Sequence, residues 1–172
     1  VVIPVFNSET TLPRLCAELI ENLRFVRDVQ IILVDDGSSD ASAEVCTEMH
    51  FRYPNTLEFI ELSQNSGEHS ALLAGIRQAR GDYCILMDDD LQNPPSEIVR
   101  LLRQIALGFD AVYATARPRR HAWHRRWASA LHNRMAVFVL GKPKDLYLSS
   151  FKALSRGVVR DLSKYQGPKP YI

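Results

Sequence analysis

The sequence predicts an α/β fold with a mostly parallel sheet flanked by helices. Three observations carry this. Short apolar runs alternate with stretches of helical periodicity over residues 1–115, which is the pattern of βαβ units. Polar clusters follow three of those runs directly, at Pro4–Glu9, Asp35–Asp40 and Asp88–Gln92. In parallel sheets, ligands bind at the carboxyl ends of the strands, where these clusters fall. The composition is globular: 172 residues, 46% hydrophobic and 24% charged. That is enough apolar material for a buried core and too much for a disordered chain.

The elements follow in order. Val1–Val5 is an apolar run and a strand. Thr10 to Phe25 has helical spacing through Leu12, Leu15, Leu19 and Leu23, and Pro13 sits in the first turn, where proline is tolerated. Gln30–Val34 reads as a buried strand. Asp35-Asp36-Gly37-Ser38-Ser39-Asp40 is a turn, with Asp40 placed to cap the helix Ala41–Phe51. Leu57–Leu62 is a third strand, and Ser66-Gly67 opens a helix running to Gln78. Tyr83–Met87 is a fourth strand that enters Asp88-Asp89-Asp90. Pro94-Pro95-Ser96-Glu97 starts a helix to about Leu107. Asp110–Thr115 is a fifth strand. From Arg117 to Trp127 the chain is rich in arginine and aromatics, and Trp123, Trp127, Leu131, Met135 and Phe138 form one helical stripe. A basic amphipathic helix is expected after the fifth strand.

Residues 1–86 carry six basic and 13 acidic side chains, and residues 87–172 carry 15 and seven. The net charge of +1 therefore divides into −7 and +8. Such asymmetry points to an anionic partner on the basic side. Cys16, Cys46 and Cys84 have neither metal-ligand nor redox spacing and are expected as small core residues in a reducing compartment. No run approaches the roughly 20 apolar residues of a membrane span, and neither a membrane span nor a signal peptide is expected within these residues. The chain starts inside a strand and ends on Pro170-Tyr171-Ile172. It is expected to be a single domain, 1–172, truncated at its C-terminus.

Three adjacent carboxylates at a strand end repel one another, and a hard divalent cation relieves the repulsion. The competing reading is a solvated loop capping the next helix. Asp88-x-Asp90 resembles the DxD motif of nucleotide-sugar glycosyltransferases with the GT-A fold. Asp88-Asp-Asp-Leu-Gln-Asn-Pro-Pro95 is similar to the D-x-D-L-Q-x-P-P signature of family 2 glycosyltransferases that act on polyprenyl phosphates, such as dolichol-phosphate mannose synthase and the undecaprenyl-phosphate sugar transferases. Val2-Ile-Pro-Val-Phe-Asn7, Val34-Asp-Asp-Gly-Ser-Ser-Asp40 and Asn65-Ser-Gly67 with Ala71 resemble further family segments in the same order. The resemblance covers nearly the whole chain.

The resemblance implies an inverting, metal-dependent transfer of a sugar from a UDP- or GDP-sugar to a polyprenyl phosphate. It places Pro4, Phe6 and Glu9 on base and ribose, and Val34 and Asp36 on the base. Asp88, Asp89 and Arg117 would hold the nucleotide sugar, and Asp88, Asp90 and Gln92 would hold Mg2+ or Mn2+. Phe6 replaces the usual tyrosine, and the acid stands at Glu9 with Ser8 between it and Asn7. Packing in the core is the competing role for Phe6, turn chemistry for Asp35-Asp36, and a plain helix start for Gly67. Lys144–Arg156 resembles the acceptor side, with Asp145 as its catalytic or acceptor-positioning acid. Tyr165–Ile172 resembles a segment before the last catalytic elements.

By composition, residues 117–127 suit a membrane surface and a nucleic acid alike. The resemblance favours the membrane, on its cytoplasmic face, and no nucleic acid. Alternatives are a family 2 transferase with a saccharide acceptor, a phosphoacceptor receiver and a non-catalytic nucleotide-binding module. No G-x-G-x-x-G follows the first strand, which argues against a dinucleotide dehydrogenase.

Overall fold

Four parallel strands form the frame. These are β1 (Val2–Val5), β2 (Ile31–Asp35), β3 (Leu57–Glu61) and β4 (Tyr83–Leu86). A computed structural model describes residues 1–114, 149–167 and 172. Two further strands, β5 (Ala111–Tyr113) and β6 (Lys152–Ser155), complete a sheet of order β3-β2-β1-β4-β6-β5. β1 and β2 are wholly buried, which is why they read as continuous apolar runs rather than alternating ones.

The helices are α1 (Leu12–Leu23), α2 (Ser42–Arg52), α3 (Glu68–Gln78), α4 (Ile98–Ile105) and α5 (Arg156–Ser163). α1 buries Leu12, Leu15, Cys16, Leu19 and Leu23, the periodic residues of the sequence. α4 is shorter than predicted because Pro95–Glu97 forms a single 3-10 turn before it. α2 starts at Ser42 rather than Ala41. α3 and α5 pack on one face, where Val2, Ile32, Val34, Leu86 and Leu154 meet Ala71, Ile76 and Val159. α3 lies close to β1 because Gly75 has no side chain. A Cβ there would stand 2.4 Å from Val2 Cγ1 and 3.1 Å from Val34 Cγ2. All three cysteines are buried and free.

One strand has no counterpart in the sequence reading. β6 enters between β4 and β5, antiparallel to both. β6 is short and carries a lysine and a serine, so its sequence shows no strand pattern. Burial explains it: Phe151, Lys152, Ala153 and Leu154 are all buried. The β4–β6 register sets Leu86 opposite Lys152. Continued two residues, the antiparallel count brings Ser150 opposite Asp88.

Arg117, Asp145, the arginine-rich stretch and the stripe Trp123–Phe138 lie outside the described residues. Among the described residues, no helix is long and apolar enough to cross a membrane.

Candidate active site

The carboxyl ends of β1, β2 and β4 open onto a cleft of about 550 Å3. Pro4, Val5 and Phe6 line it from β1, Asp36 from β2, and Asp88, Asp89 and Asp90 from β4. Asn65, Gly67 and Glu68 enter from the β3–α3 loop, and Ser150 from the approach to β6. A hollow of about 700 Å3 at the other end of the sheet mixes acidic and basic side chains, among them the ion pair of Arg80 with Glu58.

The loops over the strand ends are locked together. Asn7 takes a left-handed backbone (φ 53°), which asparagine tolerates better than most residues. Its amide donates to Ser38 Oγ at 3.0 Å, and its Oδ1 accepts from the Ser39 amide at 2.8 Å. Asp35 accepts from the Ser38 amide at 3.0 Å and from the Ser38 hydroxyl. At Gly37 (φ 68°) the turn passes so near the β3–α3 loop that a Cβ would stand 2.7 Å from Asn65 N. Only glycine suits both the angle and the approach.

Asp36 is nearly buried, and both its oxygens are engaged. Oδ1 accepts from the Ser66 amide at 2.7 Å and Oδ2 from the Gly67 amide at 2.8 Å. The Gly67 amide, at the start of the helix that the sequence predicts there, is thus taken by Asp36. Glu9 lies outside the cleft lining. Its Oε2 accepts from the Ala41 amide at 2.8 Å, and its own amide donates to Asp40 at 3.2 Å, so its charge sits at the start of α2. Asp40 also accepts from the Ser42 amide at 3.0 Å and from the Ser42 hydroxyl. Val34 is fully buried beneath α3 and shapes the strand rather than the cleft surface. Phe6 is 47% exposed, so its ring is not core packing.

The three aspartates have different partners. Asp88 accepts a hydrogen bond from Ser150 Oγ at 2.5 Å. Asp89 accepts from the Phe6 amide at 3.3 Å, tying β4 to the β1 loop. Burial raises the Asp89 pKa; the Ser8 hydroxyl and the Phe6 amide oppose that without cancelling it. Asp90 is exposed and accepts from the Gln92 amide at 2.9 Å across Leu91, whose φ is 58°. Gln92 is exposed, outside the cleft lining. Sequence reasoning missed Glu68, Ser150 and Lys152. Ser150 and Lys152 reach the site through the β4–β6 pairing across 62 residues or more, which no local pattern announces.

Among the described residues, no three His, Cys, Asp or Glu side chains form a ready cation cage. The aspartates still suit a hard divalent cation. Such an ion is held by one or two carboxylates and completed by phosphate oxygens and water. The cleft lining has five carboxylates and no lysine or arginine among the described residues.

Residues 1–163 match the family model described as Glycosyl transferase family 2. The chain belongs to that family. An undecaprenyl-phosphate 4-deoxy-4-formamido-L-arabinose transferase of Proteus mirabilis (strain HI4320) is 40% identical over 160 residues, covering 92% of this chain and 49% of the relative. A protein of the same name from Pseudomonas aeruginosa (strain LESB58) is also 40% identical, over 92% of this chain and 47% of its own. This family 2 chain thus spans about half the length of the curated relatives it matches. A mannosyltransferase from Pyrobaculum calidifontis, solved with GDP-Man and Mn2+, superposes with a TM-score of 0.68 at 18% identity, over 94% of this chain and 45% of that one. Glucosyl-3-phosphoglycerate synthase from Mycobacterium tuberculosis, solved with Mn2+ and UDP-Glc, gives 0.67 at 17% identity, over 91% and 55%. The fold is the GT-A fold that the resemblance implied. Membership in a glycosyltransferase family sets aside the receiver reading.

Proposed function

We propose that the protein transfers a sugar from a UDP- or GDP-sugar to a polyprenyl phosphate, inverting the anomeric carbon, with Mg2+ or Mn2+. The observation that carries the donor half is the acidic cleft at the carboxyl ends of β1, β2 and β4. A diphosphate entering five carboxylates is repelled unless a cation accompanies it. The names of the relatives support the acceptor, and the GDP-Man, UDP-Glc and Mn2+ of the solved neighbours support the donor class and the metal.

In this reading Asp88 and Asp90, with Gln92, would hold the cation, which would offset the negative charge of the leaving diphosphate. Ser150 fixes the Asp88 carboxylate, and Asp89 joins the strand end to the nucleotide loop. Pro4 and the exposed ring of Phe6 stack on base and ribose. Asp36 keeps the β3–α3 loop open at the base pocket, with Val34 setting its strand. Glu9 fixes the rim through α2. Arg117 pairs with the diphosphate and Asp145 positions the acceptor. An acceptor phosphate oxygen attacks the anomeric carbon as the bond to the nucleoside diphosphate breaks. That oxygen is already ionised, so no side chain has to remove a proton. Residues 1–172 act as one catalytic domain, and the basic, tryptophan-bearing stretch 117–127 meets the cytoplasmic face of the membrane, where the lipid phosphate lies.

The test is thermal stability with UDP or GDP. A rise in melting temperature is expected only with Mg2+ or Mn2+, and Asp90→Ala is expected to abolish it. Equal stabilisation without metal would overturn the metal assignment. Transfer of labelled sugar to undecaprenyl phosphate, and none to free saccharides, tests the acceptor.

A further inference from the structure

The cleft carries a charge that its own lining does not offset, and one ammonium stands behind it. Lys152 is the first residue of β6 and only 7% exposed. The sheet register pairs it with Leu86, two residues before Asp88. Three groups face it. Glu68, at the start of α3, and Asp88 act on its charge, and the ring of Tyr113 on β5 lies 5.6 Å from Nζ. Burial lowers the Lys152 pKa, and Glu68 and Asp88 act to raise it. A buried ammonium is costly unless compensated, and the Tyr113 ring and the charges of Glu68 and Asp88 offset part of that cost.

We propose that Lys152 is a positioning residue of this cleft: a fixed counter-charge that holds Glu68 and Asp88 in place and draws the diphosphate toward them. The proposal rests on the reading of the cleft as a cation and diphosphate site. It has a consequence that packing alone lacks. The ammonium repels an entering cation and attracts an entering diphosphate, so removing it shifts the two affinities in opposite directions. Even with the full screening of bulk water, a unit charge about 4 Å from its partner shifts an equilibrium about fivefold. Loss of packing would weaken both.

Lys152→Met removes the charge and keeps most of the side chain's length. Mn2+ binding is measured without nucleotide, by the electron paramagnetic resonance signal of free Mn2+. UDP and GDP binding are measured by calorimetry at saturating Mn2+, and circular dichroism checks the fold. In Lys152→Met, the Mn2+ Kd is expected to fall by about threefold or more. The nucleotide Kd is expected to rise by about threefold or more. Lys152→Arg keeps the charge and should leave both within about twofold of the unaltered chain. Should Lys152→Met fail to fold, Lys152→Gln is read in the same way. Both affinities unchanged, or both weakened, would overturn the role of Lys152 while the cation site stands. Absence of Mn2+ binding by the unaltered chain would overturn the cation site and this proposal with it.

Discussion

Asp36→Ala isolates the contact on which the β3–α3 side of the cleft depends. The Asp36 carboxylate is nearly buried and accepts from two backbone amides, at 2.7 and 2.8 Å, in a loop otherwise open to water. A hydrogen bond to a charged group contributes about 1.5–3 kcal/mol. Two would sum to about 3–6 kcal/mol if the amides had no other partner. Ser66 and Gly67 are exposed, so water recovers part of this, and a net loss of about 2–3 kcal/mol remains. For a chain of this size that lowers the melting temperature by roughly 4–12 °C. Asp36→Asn sharpens the test. It keeps the shape and one acceptor but turns an NH2 group toward the second amide, so about half of the loss should persist. Thermal and urea melts of the metal-free chain measure both variants. A melting temperature for Asp36→Ala within about 1 °C of the unaltered chain would refute the reasoning, because a small shift on this scale means water replaces the carboxylate fully.

Other perturbations test other parts of the argument. Gly75→Ala drives a methyl into Val2 and Val34 and should destabilise by about 1–3 kcal/mol, read from the urea midpoint; an unchanged midpoint would mean that α3 shifts freely on the sheet. At Asp40, burial acts to raise the pKa, but the Ser42 hydroxyl and the amides of Glu9 and Ser42 together outweigh it and hold the carboxyl below its usual range. Its contribution is therefore whole above the unfolded value of about 3.9 and is lost as pH falls through the folded value. The stability gap between the unaltered chain and Asp40→Asn should narrow as urea melts move from neutral pH toward about pH 2.5, and a constant gap would contradict the assignment. Burial pushes the Cys16 thiol up to about 11 and raises Cys46 and Cys84 as well. Iodoacetamide near pH 8 should label none of the three in the native state and all of them in urea, by mass spectrometry.

Much of the site was legible because its residues are local in the chain. Pro4 lies within an apolar run, Phe6, Asp36 and Asp88–Asp90 stand just past the ends of such runs, and the parallel sheet brings those run ends to one edge. Glu9 was legible as a conspicuous acid but not as a partner of Ala41, since that bond depends on where α2 begins. Gly67 was legible as a helix start; that its amide serves Asp36 follows from how closely two loops approach.

By itself, the sequence determined the strand–helix alternation, the frame of β1 to β4 and the edge that carries the carboxylates. Burial on both faces and one-turn spacing leave a direct imprint on residue type. Only the tertiary structure decided that β6 runs antiparallel between β4 and β5 and so sets Ser150 against Asp88 and Lys152 behind it. The physical reason is that strand pairing depends on which edge is left to cover and on what can be buried there. Lys152 is buried there with Glu68 and Asp88 acting on its charge and the Tyr113 ring 5.6 Å from its Nζ, groups that come from distant parts of the chain.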